Sequence, residues 1–177
     1  MSAEEFWKNA LWKKKMQREL KIRDLDGDGF VSKADYDLVI QRYRELGTPE
    51  KRLEKMTQLL ARVMKSMGID GTTKLTLQEC SKNFEKSGTK PEDLDEWFMI
   101  QFKILDTNGD GEISFKEWSD YYTVVGIDTV HARPSFDAMD TDGDGVISKE
   151  EFLAFIKEFY FSKEDKLKSS IMYGPLD

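Results

Sequence analysis

Histidine and cysteine are almost missing from this chain of 177 residues, which holds one of each, His131 and Cys80. A single cysteine closes no internal disulfide, so a reducing setting is expected. A single histidine leaves no material for a His-ligated zinc site. Any histidine acid–base scheme would run through His131 alone. Proline and glycine are sparse, 4 and 12 residues, which excludes collagen-like and low-complexity sequence. No apolar run approaches the roughly 18 residues that suggest a membrane span. The first residues, Met1-Ser2-Ala3-Glu4-Glu5-Phe6-Trp7-Lys8, put charges where a secretory leader is apolar. Ser2 stands where N-myristoylation requires glycine. A cytoplasmic protein is therefore expected. Positive charge is short too: 34 acids against 27 bases leave −7, which disfavours nucleic acid and suits cations as partners. Aromatic residues, by contrast, reach 12% of the chain, ample for a packed core and unlike a disordered sequence. The length suits one domain or two small lobes sharing a core.

The acids are not scattered. Three segments align without gaps: Asp24-Leu25-Asp26-Gly27-Asp28-Gly29-Phe30-Val31-Ser32, Asp106-Thr107-Asn108-Gly109-Asp110-Gly111-Glu112-Ile113-Ser114 and Asp140-Thr141-Asp142-Gly143-Asp144-Gly145-Val146-Ile147-Ser148. Three residues after each lie Asp35, Glu117 and Glu151. This spacing resembles the EF-hand loop. Calcium is a hard cation that takes 6–8 oxygens. Loop positions 1, 3 and 5 set Asp24, Asp26 and Asp28, or Asp106, Asn108 and Asp110, or Asp140, Asp142 and Asp144 around one centre. Glycine at position 6 makes the sharp turn without steric cost. Position 7 donates only its backbone carbonyl, so its side chain varies freely: Phe30, Glu112 and Val146. Ser32, Ser114 and Ser148 at position 9 would act through water, and position 12 closes the site. After each loop, apolar residues recur at helical spacing, as in Tyr36, Val39, Ile40 and Tyr43, then Trp118, Tyr121, Tyr122 and Val125, then Phe152, Phe155, Ile156 and Phe159.

The stretch between Asp35 and Asp106 is long enough for a fourth unit. Thr48 can cap a helix with Pro49 in its first turn. Leu53, Met56, Leu60, Val63 and Met67 give that helix its apolar face. The loop from Gly68 to Glu79 follows, without the first ligand and with Thr73 in place of the turn glycine. Lys74 adds an unfavourable charge. This unit is read as an EF-hand that kept its scaffold and lost its ion. The expected fold is all-α: four EF-hand helix–loop–helix units in two packed pairs, compact, with short β bridges of about two residues between paired loops. The expected division is 1–86, an N-terminal pair with a degenerate second loop; 91–161, a C-terminal pair; and 162–177, a tail packing back on the body.

Asp35 is one methylene shorter than the usual glutamate, so full closure would need the exiting helix to move inward. Single-oxygen closure is expected, and Mg²⁺, which prefers six ligands at shorter distance, is most expected at this first loop. Clustered carboxylates should repel one another without metal, which couples ion binding to folding.

The whole chain resembles the sarcoplasmic calcium-binding proteins and their relatives, calexcitin and the coelenterazine-binding (luciferin-binding) proteins. The likeness rests on loops one, three and four being complete with the second silent. It also rests on Pro134-Ser135-Phe136-Asp137-Ala138-Met139-Asp140 before the last loop and on the ending Met172-Tyr173-Gly174-Pro175-Leu176. The resemblance implies a soluble Ca²⁺/Mg²⁺ buffer with three Ca²⁺ sites, and a tail folded on the body. Two alternatives stay open: a sensor presenting a groove to a protein partner, with Met56, Met64 and Met67 in view, or a Ca²⁺-regulated carrier of a coelenterazine-like hydrophobic ligand, with Trp7, Trp12, Trp97 and Trp118 as candidate walls. Related photoproteins use several histidines, and with His131 alone no enzyme is expected. A monomer is expected. Lys13, Lys14 and Lys15 read as a solvated helix face, and Cys80 as core.

Overall fold

The computed structural model describes residues 9–86, 95–162 and 168–174. Trp7, the boundary stretch 87–91 and residues 175–176 lie outside the described residues. Helix α1 spans Ala10–Lys21, and Asn9 caps it by accepting the Trp12 N–H. The first unit continues through strand β1 (Phe30–Ser32) into α2 (Lys33–Glu45). The second holds α3 (Glu50–Met67), β2 (Lys74–Thr76) and α4 (Leu77–Lys86). The third holds α5 (Asp95–Leu105), β3 (Ile113–Ser114) and α6 (Phe115–Val124). The fourth holds α7 (Ala132–Met139), β4 (Val146–Ile147) and α8 (Lys149–Phe161), preceded by a 3₁₀ turn at Thr129–His131. A second 3₁₀ turn, Lys168–Ile171, begins the described part of the tail.

The loops pair back to back through antiparallel ladders. Val31 faces Leu75 across β1 and β2, and Ile113 faces Ile147 across β3 and β4. These four side chains sit at position 8 of their loops. Val31, Ile113 and Ile147 are fully buried, because the ladder carries them from the surface loops into the helical core. The fold is thus all-α with four helix–loop–helix units in two pairs, as the repeats predict.

One helix start differs by a residue. Pro49 is the N-cap of α3 and no side chain caps it. The Thr48 N–H closes the end of α2, on Tyr43 O at 3.1 Å.

The two pairs share their interiors. Trp12, Met16 and Ile22 enter the C-terminal core, beside Phe102, Phe136 and Phe152. In return, Ile100, Ile104 and Val124 enter the N-terminal core with Tyr43, Leu53 and Met56. Arg42 on α2 donates to Val124 O on α6 at 2.5 Å. Met64 and Met67 pack on the N-terminal cluster as well. Cys80 is buried, and burial lifts its thiol to about 11, so packing describes it better than reactivity.

The basic run divides. Lys13 and Lys14 are exposed, but Lys15 is fully buried, with its ammonium 5.4 Å from the Phe159 ring centroid. Burial lowers its pKa, against the attraction of Glu158. The expectation of a solvated face therefore fails at Lys15, which α8 covers.

The tail docks through backbone carbonyls. Arg18 donates to Tyr173 O at 2.8 Å, and the Tyr122 hydroxyl to Met172 O at 2.8 Å. Gly174 has φ 82°, and a Cβ there would stand 3.2 Å from Arg18 Nη2 and 3.3 Å from His131 Cδ2. His131 is the N-cap residue of α7, close to its expected place at a helix start.

The Tyr122 hydroxyl also meets Ser135 Oγ at 2.7 Å inside the core. Tyr122→Phe leaves the buried Met172 carbonyl without that donor. We expect a loss of about 1–2 kcal/mol in urea melts; unchanged stability would contradict the docking of the tail.

Candidate metal centres

Each complete loop is folded by its own carboxylates before any ion is considered. In the third, Asp106 accepts Gly109 N–H at 2.7 Å and Gly111 N–H at 3.2 Å. In the fourth, Asp140 accepts Gly143 N–H at 2.8 Å and Gly145 N–H at 3.0 Å. In the first, Asp24 accepts Gly29 N–H at 3.0 Å. The position-6 glycines need this freedom: Gly29, Gly111 and Gly145 have φ of 89°, 96° and 89°. Position 5 then accepts the N–H of position 7 through Asp28, Asp110 and Asp144, at 2.9, 3.0 and 3.0 Å.

The last carboxylate joins loop to helix. Glu117 takes Thr107 N–H at 2.8 Å and Ser114 N–H at 2.9 Å, one with each oxygen. Glu151 takes Thr141 N–H at 2.7 Å and Ser148 N–H at 2.9 Å in the same way. Ser114 and Ser148 accept the Glu117 and Glu151 N–H groups, completing capping boxes. The three position-9 serines are therefore helix caps. The sequence reading missed this role, although S-x-x-E is its usual signal.

Asp35 makes the same closure with its shorter arm, to Leu25 N–H and Ser32 N–H, both at 2.8 Å. Both oxygens thus accept loop N–H groups. Ser32 also accepts the Ala34 N–H at 3.2 Å and completes a capping box with Asp35.

These donor sets fit a hard divalent cation. Asp24, Asp26 and Asp28 bring carboxylate oxygens within 4.8 Å of one another, as do Asp140, Asp142 and Asp144. Asp24 Oδ1 is buried with no hydrogen-bond partner. A buried carboxylate oxygen without a donor is costly unless a cation neutralises it. The third loop gathers Asp106, Asp110 and the neutral Asn108, whose amide donates to Asp110 at 2.7 Å. Asp106 and Glu117 are buried there. Phe30, Glu112 and Val146 stand at position 7, where backbone carbonyls complete such a set.

The second loop is held by a hydroxyl knot. Asp70 Oδ1 accepts the N–H and hydroxyl of both Thr72 and Thr73, all at 2.7–2.8 Å. These bonds, the Thr73 hydroxyl foremost, hold Asp70 well below the usual carboxylate range. Gly68 serves as the C-cap of α3 at φ 77°, and Ile69 N–H closes on Met64 O at 2.9 Å. Among the described residues Glu79 hydrogen-bonds only Thr76, at 2.9 Å to its N–H. Lys74 turns away from this loop and pairs with Asp28 in the first, at 2.6 Å.

Residues 95–157 match the family described as an EF-hand domain pair. The chain is 28% identical over 171 residues to the luciferin-binding protein of Renilla reniformis, covering 92% of this chain and 93% of that one. It is a calcium-binding EF-hand protein. A sarcoplasmic calcium-binding protein of Hediste diversicolor is 29% identical over 176 residues, covering 94% of this chain and 98% of that one. Among solved structures, the coelenterazine-binding protein of Renilla muelleri in its calcium-loaded apo form superposes with TM-score 0.85 and 26% identity, over 96% of this chain and 98% of that one.

This EF-hand protein also has a cavity of about 90 Å³ where its two pairs meet. Tyr36, Tyr43, Trp118, Tyr121 and Tyr173 contribute aromatic walls. Glu19, Arg23, Asp35 and Gln101 supply its polar rim. Of the tryptophans expected to line such a space, Trp118 does so; Trp12 and Trp97 belong to the C-terminal cluster. Tyr43 Oη and Gln101 Nε2 are buried with no hydrogen-bond partner. Among the described residues, no helix is long and apolar enough to cross a membrane.

Burial opposes the charge of Glu151, yet the Ser148 and Thr141 N–H groups and their hydroxyls bring its pKa down from 4.5 to about 2. A depressed carboxylate stabilises the fold above its unfolded pKa and loses that contribution as pH falls through the folded one. Metal-free protein should therefore weaken between pH 4.5 and about 2, and Glu151→Gln should flatten that window in urea melts. Superimposable pH profiles would contradict these bonds.

Proposed function

We propose that this protein is a calcium-binding carrier: a binding protein, not an enzyme, that holds a small, largely aromatic ligand between its EF-hand pairs. The observation that carries this reading is the cavity, with Tyr43 Oη and Gln101 Nε2 buried and unpartnered beside aromatic walls. Ligand sites combine apolar walls with a few convergent polar groups. Buried polar atoms without partners are uncommon enough to ask what satisfies them. A coelenterazine-like molecule suits both features. The name of the Renilla relative, a luciferin-binding protein, points the same way. Drug-sized ligands occupy roughly 300–1,000 Å³. The walls would have to part to admit one, and they come from α1, α2, α3, α5, α6 and the tail.

Three loops would bind Ca²⁺ through the fifteen loop residues named from the sequence, with Ser32, Ser114 and Ser148 acting as caps. The first would be the most tolerant of Mg²⁺, because Asp35 is one methylene shorter than the usual glutamate and favours lower coordination. Asp35 both closes the first loop and lines the cavity, so ion and ligand would meet through one side chain. The second reading is the Ca²⁺/Mg²⁺ buffer. It is favoured by loops already folded by their own carboxylates, since tight sites with little opening mark buffers. The sensor reading is weakened by Met56, Met64 and Met67, which pack into or onto the N-terminal core.

Titration with coelenterazine, followed by quenching of tryptophan fluorescence, separates the two. The carrier predicts saturable 1:1 binding that Val39→Trp, which fills the cavity from α2, weakens at least tenfold while the number of bound Ca²⁺ stays the same. No binding with or without Ca²⁺ would leave the buffer.

A further inference from the structure

The degenerate second loop has kept one residue that acts on its neighbour. The register of β1 and β2 sets Lys74, at position 7 of the second loop, opposite Ser32 of the first. From there its ammonium reaches Asp28 Oδ2 at 2.6 Å and lies 5.7 Å from the Phe30 ring centroid. Asp28 Oδ1 is already taken by Phe30 N–H at 2.9 Å. Both oxygens of the position-5 acid in the first loop are thus engaged by the protein.

The C-terminal pair supplies an internal comparison. Ser114 faces Val146 across β3 and β4, so Val146 holds the place of Lys74. The position-5 acid of the third loop, Asp110, has both oxygens taken as well, but by neutral donors, Glu112 N–H at 3.0 Å and the Asn108 amide at 2.7 Å, where Asp28 has an ammonium. In the fourth loop, Asp144 makes the corresponding bond to Val146 N–H through Oδ1. Among the described residues Asp144 forms no ion pair like that of Lys74 with Asp28.

We propose that Lys74 is a tethered counter-cation of the first loop, which sets that loop's affinity for divalent ions below that of the third. An incoming ion must displace the ammonium from Asp28, and it feels the residual positive charge once bound. The second loop has therefore exchanged binding an ion for tuning the site beside it. This rests on the reading of the first loop as a Ca²⁺ site.

The pair is exposed, and exposed pairs have modest strength, so removing the charge should raise first-loop affinity about fivefold. High salt should shrink that difference. The N–H groups of Gly29, Gly111 and Gly145 each donate to the first aspartate of one loop, at 3.0, 3.2 and 3.0 Å. Their ¹H–¹⁵N resonances can follow each loop separately in chelator-buffered Ca²⁺. Lys74→Val should move the Gly29 midpoint to about fivefold lower free Ca²⁺ and leave Gly111 and Gly145 in place. Lys74→Arg should stay near the native midpoint. Val146→Lys should carry the effect across, raising the Gly111 midpoint. A native-like Gly29 midpoint in folded Lys74→Val overturns the proposal while leaving the first loop a calcium site. A Gly29 resonance that ignores Ca²⁺ in every variant overturns the site itself.

Discussion

The carboxylate that ends each loop is the constraint on which the rest depends. One of its oxygens holds an N–H at loop position 2, and the other holds the N–H of the serine that opens the next helix. It thereby ties the end of the incoming helix to the first turn of the outgoing one. Its charge also sits at a helix N-terminus, where unsatisfied N–H groups favour anions. The strands follow from this, because a closed loop presents positions 7 to 9 to its partner. Where the closure fails, as at Glu79, the loop must be held by something else, and Asp70 with its two threonines does so.

That closure also reaches the interior. Asp35 touches Leu25 and Ser32 on the surface side and borders the space between the pairs on the other. The same space is closed by residues from both pairs and by the docked tail. Nothing in this arrangement is confined to one pair: α1 lends Trp12 and Met16 to the C-terminal core, and α5 lends Ile100 and Ile104 to the N-terminal one. A change of closure at the first loop would therefore be felt in the core.

The loops and the helical stripes were legible because both are local patterns. Aspartates at alternate positions with a following glycine have few other readings, and so do apolar residues at helical spacing. The departures of the second loop from the pattern, Gly68 and Thr73, were legible for the same reason. What stayed hidden depends on distant neighbours. Lys74 looked like an obstacle to its own loop, and only strand register turns it toward Asp28. Lys15 looked solvated beside Lys13 and Lys14, and only the arrival of α8 covers it. Thr48 looked like a cap, but α3 starts one residue later, with Pro49 as its N-cap. The cavity is a difference between packed volumes from several elements, which no single stretch of sequence encodes. Asp35 shows the intermediate case: its short side chain was visible, but that both of its oxygens would take loop N–H groups was not.

The most direct test of this account is the number of calcium ions bound by metal-free protein, counted by titration calorimetry and native mass spectrometry. Three ions, with Asp70→Ala leaving the count unchanged, is the expected result. Four would mean that the second loop is not silent, and two would mean that Asp35 does not complete a calcium site despite closing its loop.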